Sequence, residues 1–155
     1  MKITGKKGLG NILKTFLQIC FYLGIIILLV LPIGLQAFGL NVASSVFIIY
    51  PNGIILLMIV RKFIELFDSL KNNNPFCENN VKILRKTGII AFIGACFWII
   101  DLIYEVVFAN SFDIVTILIM LFLFILYFGV SIALYMLSEL FKQATEYKTE
   151  NDLTI

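Results

Sequence analysis

The stretch SFDIVTILIMLFLFILYFGVSIALYML, residues 111–137, decides the fold of this 155-residue chain, because Asp113 is its only charged residue. A helix needs about 20 apolar residues to cross the hydrocarbon core of a bilayer, and residues 114–137 meet that length. The whole chain is 61% hydrophobic and 14% charged, whereas soluble domains are about half apolar and about a quarter charged. The sequence therefore predicts an integral membrane protein of the all-α class.

Three further segments are long and apolar enough to span, at 12–31, 42–60 and 88–107. We therefore expect a four-helix transmembrane bundle in a single domain, 1–155. The second span is the weakest because Pro51 lies in its middle, although membrane helices accommodate proline as a kink. A cleaved signal peptide is the alternative for the first span. Its apolar run is longer than is usual for such peptides and no A-x-A site follows it, which favours an uncleaved helix.

The basic residues are distributed asymmetrically along the chain. Of the 12 lysines and arginines, four precede or open the first span, six lie between the second and third, and two follow the fourth. The connections between spans one and two and between spans three and four contain none. The positive-inside rule then predicts that both termini and the middle loop face the cytoplasm.

The composition excludes several kinds of enzyme. The chain has no histidine, which excludes histidine acid–base catalysis and histidine-ligated zinc. Its three cysteines, Cys20, Cys77 and Cys96, do not form the pattern of a disulfide framework. No glycine-rich nucleotide-binding pattern follows a strand. The sequence therefore favours a non-enzymatic protein with no catalytic residues, no cofactor and no metal.

Polar residues inside the predicted spans form one candidate site. Asp101 and Glu105 stand four residues apart on the third span, and Trp98 shares their face. Tyr50 and Asn52 enter the membrane from the same side and reach a depth comparable to that of Asp101. Two interpretations remain open: a hydrogen-bonded cluster that holds helices together, or a proton or cation site. The first is favoured, because transporters usually contain paired broken helices and this chain shows one break. Glu105 lies close enough to the exit to reach water.

The segment between the second and third spans predicts a cytoplasmic helical hairpin, 61–87. In RKFIELFDSL, residues 61–70, apolar side chains recur at helical spacing: Phe63, Leu66, Phe67 and Leu70. KNNNPF then breaks the helix. A second helix resumes in ENNVKILRKTG, residues 78–88, with Asn79 or Asn80 as its N-cap, and continues into the third span.

The fourth helix is predicted to continue into a cytoplasmic tail, 138–155. Its apolar stripe extends for about three turns beyond the membrane through Leu137, Leu140, Phe141, Ala144 and Tyr147. We expect this stripe to pack on the hairpin face formed by Phe63, Phe67 and Leu70. That packing is either purely internal or part of a dock for a soluble partner, and the two alternatives are equally supported. The candidate docking residues are Phe63, Phe67, Leu70, Pro75, Phe76, Tyr147, Asp152, Leu153 and Ile155.

Three short motifs resemble the bacterial membrane-protein family known as domain of unknown function 2975. They are NPF at 74–76, ENNVKILRKTG at 78–88 and ENDLTI at 150–155, and their order and spacing match over most of the chain. Asn74 stands where the family usually has a small residue, often glycine, a departure that affects turn geometry only.

The resemblance implies a four-span protein of the bacterial plasma membrane with no established activity. Its members are encoded beside small helix-turn-helix regulators of the Xre/Cro type. This implies a sensor or sequestering partner of such a regulator, which does not itself bind nucleic acid. The alternative is a small transporter or self-protection protein that uses the polar site around Asp101. The expected partners are the lipid bilayer, the regulator and, in a homo-oligomer, further copies of the chain.

The predicted topology can be tested with alkaline phosphatase fusions, because this enzyme is active only outside the cytoplasm. A fusion after Phe108 should be active, and one after Lys71 should be silent, since the basic residues hold the middle loop inside. The reverse pattern, or activity of a fusion at Ile155, would contradict a four-span protein with both ends in the cytoplasm.

Overall fold

The computed structural model describes residues 9–37, 42–70, 76–108 and 113–153, apart from the side chains of residues 9, 35, 42–48, 108 and 151–153. These residues form four helices and no strand: α1 (Leu9–Ala37), α2 (Val42–Leu70), α3 (Glu78–Phe108) and α4 (Ile114–Leu153). The predicted all-α class is confirmed. Helix α2 continues through Pro51, and α3 runs unbroken from the predicted hairpin into the third span.

Three of the helices are long and apolar enough to cross a membrane: residues Gly10–Gly34, Glu78–Val107 and Ile114–Glu150. They contain the first, third and fourth predicted spans. The second predicted span, 42–60, begins with side chains that the structure does not describe. The four-span topology and its orientation therefore stay predictions.

The helices pack in a row, in which each contacts its neighbour in the chain. α1 packs on α2, α2 on α3 and α3 on α4, and no other pair of helices in the described ranges has close backbones. The pairs are antiparallel: Lys14 at the start of α1 bonds Asp68 at the end of α2, and Phe76 before α3 contacts Phe141 on α4. The antiparallel packing places the described lysines and arginines at the same end of all four helices, which we call the basic end.

The α3–α4 interface, the seam, is built from small side chains. Ala91, Ala95 and Ser131 are buried there, and the Ser131 hydroxyl donates a hydrogen bond to the Gly88 carbonyl at 2.9 Å. A Cβ atom on Gly88 would lie 3.3 Å from the Ser131 carbonyl oxygen and 3.4 Å from the Tyr135 nitrogen. Small residues of this kind allow helix backbones to approach closely in membranes. Gly88 therefore sets the spacing of α3 and α4.

The hydrophobic core lies where side chains of α2, α3 and α4 meet. Tyr127 of α4 fits against Gly94, where a Cβ atom would come within 2.6 Å of its ring and within 3.0 Å of Ile55. The buried residues of this cluster are Ile55, Ile59, Ala91, Ala95 and Tyr127, and Phe63 and Trp98 pack on them. Side chains of α2 and α4 thus reach each other across α3, although their backbones do not.

The start of α3 differs from the sequence prediction. The helix begins at Glu78, and the Cys77 carbonyl accepts hydrogen bonds from the backbone of Asn80 at 3.1 Å and Val81 at 3.3 Å. The prediction of Asn79 or Asn80 as N-cap is therefore wrong, because both lie within the first turn. Asn80 is instead fully buried inside the helix.

Asp113 caps the start of α4. Its carboxylate accepts hydrogen bonds from the backbone nitrogen of Val115 at 3.2 Å and from the Thr116 hydroxyl at 2.6 Å. The Thr116 bond and then the Val115 bond lower the pKa of this exposed carboxyl. Asp113 is therefore ionised at neutral pH, and its capping contribution is lost only as the pH falls through the lowered pKa.

Enlarging Gly88 should force α3 and α4 apart. We expect Gly88→Leu to reduce the free energy of unfolding by about 1–3 kcal/mol, the usual cost of overpacking. Gly129→Leu is the matched control, because Gly129 lies on the other helix of the seam, α4, and nothing lies within 4 Å of a Cβ atom there. Unfolding in detergent can be followed through the fluorescence of Trp98, the single tryptophan. Equal losses in both variants would contradict a spacing role for Gly88.

Candidate functional site

The structure brings together two residues of the predicted polar cluster, Asn52 and Asp101. The Asn52 side-chain nitrogen donates a hydrogen bond to the Asp101 carboxylate at 2.7 Å. Both residues are buried, with 6% and 4% of their surface exposed. The bond crosses the α2–α3 interface within the apolar part of both helices. It therefore links the two helices where lipid offers no polar partner.

Tyr50 does not join this pair. Its hydroxyl donates a hydrogen bond to the Leu28 carbonyl of α1 at 2.8 Å. Residues two apart on a helix point in directions about 200° apart, so Tyr50 faces α1 when Asn52 faces α3. The predicted cluster of Asp101, Tyr50 and Asn52 is thus divided between two interfaces.

Glu105 and Trp98 lie one turn on either side of Asp101 on α3. Glu105 is partly buried. Trp98 packs against the core, and its buried indole nitrogen has no hydrogen-bond partner among the residues described. In that same part of the chain, no group of three or more histidine, cysteine, aspartate or glutamate residues could hold a metal ion. The chemistry at this place is that of one carboxylate and one amide.

The hairpin residues predicted to receive the tail have other positions. Phe63 packs against the core cluster, and Phe67 and Leu70 are partly buried on α2. The tail instead contacts Phe76, whose ring centroid lies 5.4 Å from that of Phe141. Phe76 belongs to the predicted hairpin, 61–87, so the tail does contact the hairpin at its turn. The backbones of α2 and α4 do not approach closely in the described ranges, and packing of the tail on the α2 face stays a prediction.

The apolar stripe of the tail is divided by this packing. Phe141 and Ala144 are partly buried, whereas Leu140 and Tyr147 keep 61% and 69% of their surface exposed. The helix continues to Leu153, so the backbone of Asp152 and Leu153 is helical and their side chains are not described. Pro75 and Ile155 lie outside the described residues.

Two contacts at the basic end were not predicted from the sequence. One is the Phe76–Phe141 pair. The other places the Arg85 guanidinium 5.8 Å from the ring centroid of Tyr135, across the seam. The sequence shows both the NPF motif and the aromatic residues of α4. Predicting which of them contact each other requires the register of α3 and α4, which Gly88 and Ser131 set.

A comparison with known families covers nearly the whole chain. The profile of DUF2975, described as a protein of unknown function, matches residues 13–155. The chain belongs to the DUF2975 family. This confirms the resemblance drawn from the NPF, ENNVKILRKTG and ENDLTI motifs. No curated protein and no solved structure matches the chain.

The match to DUF2975 spans the Asn52–Asp101 pair, the seam and the helical tail. The family description assigns no activity. The roles of these residues are therefore argued from their geometry, which gives two candidate sites: an intramembrane polar pair and an exposed helical tail.

The polar pair can be tested with a double-mutant cycle. Asp101→Asn should cost little, because an amide oxygen can still accept the bond from Asn52, while Asp101→Leu should cost about 1 kcal/mol of unfolding free energy. Asn52→Leu and the double variant complete the cycle, with an expected coupling of about 0.6 kcal/mol.

A proton site would behave differently from a structural pair. Asp101→Asn would then abolish a pH-dependent activity of the protein and leave its stability intact. Equal tolerance of the Asn and Leu substitutions, in both stability and activity, would contradict the structural role and the proton site alike.

Proposed function

We propose that this protein is a non-enzymatic multi-pass protein of the bacterial plasma membrane that binds a small cytoplasmic DNA-binding regulator. In this role it senses a signal for the regulator or sequesters it from DNA. The observation that carries the proposal is the continuation of α4 to Leu153 with Leu140 and Tyr147 exposed. Both lie beyond residue 137, where the fourth predicted span ends.

The tail is long enough to stand clear of the lipid. Residues 138–153 of α4 extend about 24 Å at 1.5 Å per residue. Leu140 and Tyr147 are seven residues apart and therefore share one side of the helix. Exposed apolar side chains need no partner inside a bilayer, but a ridge of them in water is typical of an interaction site.

The charge of the tail is complementary to a DNA-binding protein. It contains four acidic side chains, Glu139, Glu146, Glu150 and Asp152, and two lysines, Lys142 and Lys148. Lys142 lies 3.7 Å from Glu139 and 3.8 Å from Glu146. A regulator that contacts phosphates carries a basic face. The acidic tail would attract that face and compete with DNA for it.

The polar pair supports a second candidate, a small transporter or self-protection protein. Ionisable residues within membrane spans often mark transport or proton pathways, and Asp101 is 4% exposed. The hydrogen bond to Asn52 favours the structural role instead. Loss of a transport or protection phenotype in a stable Asp101→Asn protein would favour the second candidate.

Removing the last six residues of the tail should release the regulator and leave the membrane part folded. We expect deletion of Glu150–Ile155 to weaken recruitment of a small helix-turn-helix protein to the membrane fraction, since the acidic end is lost. Tyr147→Ala should also weaken this recruitment, because it removes the exposed ring. Recruitment can be measured by co-purification of the tagged full chain with the regulator at low and high salt. Binding should weaken with salt, because the screening length falls to about 8 Å at physiological ionic strength.

Gln143→Ala is the matched control for Tyr147→Ala, because Gln143 is also exposed on the tail but is not apolar. This variant should recruit the regulator as the wild type does. Unchanged affinity of the truncated and Tyr147→Ala proteins would show that the tail is only the end of a helix.

A further inference from the structure

Two openings lie between α3 and α4, one lined by Arg85 and the other by Tyr135. Because these two side chains contact each other, the openings are neighbours, and we call them together the seam groove. The inner opening has a volume of about 300 Å³ and includes Phe92, Phe128 and Ile132 among its lining residues. The outer opening has a volume of about 290 Å³ and includes Arg85 and Lys142. Lining residues of both openings are three or four apart along each helix, for example Arg85, Ile89 and Phe92 on α3, which places both openings on the same side of the helix pair.

The inner part of the seam groove is apolar. The rings of Phe92 and Phe128 both line it, with centroids 6.3 Å apart and planes tilted by 46°. Ser131 also lines this part, but its hydroxyl donates to the Gly88 carbonyl, so both polar groups are already engaged. Gly88 has no side chain to fill the space. An occupant of the inner part must therefore be apolar.

The outer part carries a cation that no carboxylate neutralises. Lys82 bonds Glu78 at 3.1 Å, and Lys142 lies near Glu139 and Glu146. Arg85 forms no ion pair among the residues described and contacts the ring of Tyr135. Tyr135 belongs to the inner lining, so the guanidinium stands where the charged and apolar parts meet.

We propose that the seam groove binds one anionic phospholipid of the surrounding bilayer. An acyl chain lies along Phe92 and Ile132, and the phosphate meets Arg85, whose planar fork of donors suits phosphate oxygens. Arg85 precedes the predicted span 88–107 by one turn and so stands at the depth of the headgroups. Basic residues at that depth are attracted to anionic lipid. A soluble phosphate would leave the apolar part unused, which is why the occupant is a lipid.

This proposal needs only α3 and α4 and does not depend on a regulator. It is tested with the full chain in detergent, titrated with phosphatidylglycerol or phosphatidylcholine of identical acyl chains. Bound lipid is counted by native mass spectrometry. Phosphatidylglycerol should bind several-fold more tightly than phosphatidylcholine. Arg85→Gln should weaken phosphatidylglycerol about fivefold, the effect of one basic residue at an anionic surface, and should weaken phosphatidylcholine less, because the positive choline offsets the charge of its phosphate.

The chain provides a matched control for the charge. Arg61 is its other arginine and lies on α2, away from the groove, 4.0 Å from Glu65. Arg61→Gln should leave both affinities unchanged. Equal binding of the two lipids, or equal effects of Arg85→Gln and Arg61→Gln, would reduce the effect to general surface charge and overturn the proposal.

The apolar half has its own test, which remains decisive if Arg85→Gln does not fold. Ile132→Trp should fill the inner part and weaken both lipids several-fold. Leu126→Trp is its control, because Leu126 is 45% exposed on the same helix and Ile132 is 47% exposed, and Leu126 is not among the groove lining. Equal lipid binding by these two variants overturns the acyl-chain position. Displacement of the lipid by millimolar glycerol phosphate would identify a soluble phosphate site and overturn the lipid assignment.

Discussion

The close approach of α3 and α4 at Gly88 and Ser131 is the constraint on which the rest of the basic end depends. It fixes the register of the two helices, so that Arg85 meets Tyr135 and Phe76 meets Phe141. The register also decides which residues of the tail turn inward. A bulkier residue at position 88 would separate the backbones and shift all of these contacts together. The seam is thus the link between an apolar sequence and a defined surface at its basic end.

Each interface in the row of helices contains a hydrogen bond from a polar side chain within its apolar part. Tyr50 bonds the Leu28 carbonyl between α1 and α2, Asn52 bonds Asp101 between α2 and α3, and Ser131 bonds the Gly88 carbonyl between α3 and α4. Such bonds are worth about 0.6 kcal/mol on average in membranes. Their main effect is positional, because an unsatisfied polar group in hydrocarbon selects the one register that satisfies it.

The helices and the Asn52–Asp101 contact could be predicted from the sequence, whereas the contacts of the tail could not. Helix existence follows from long apolar runs, and depth estimates placed Asn52 and Asp101 at the same level. The direction in which Tyr50 points could also have been predicted, because it follows from the spacing between Tyr50 and Asn52. The order in which the helices pack could not be predicted, because the apolar segments of a closed bundle and of a row have the same lengths. Only the packing reveals that the backbone of α3 lies between those of α2 and α4.

The packing of the helices in a row explains one of the two candidate sites but not the other. The Asn52–Asp101 bond has the same place in its interface as the bonds of Tyr50 and Ser131 have in theirs, so its burial is accounted for by helix packing. The tail has no such account: Phe141 packs on Phe76, whereas Leu140 and Tyr147 keep 61% and 69% of their surface exposed. Lipid cannot cover them if α4 leaves the membrane near residue 137. Under the proposed function, a protein partner supplies this apolar contact at the basic end.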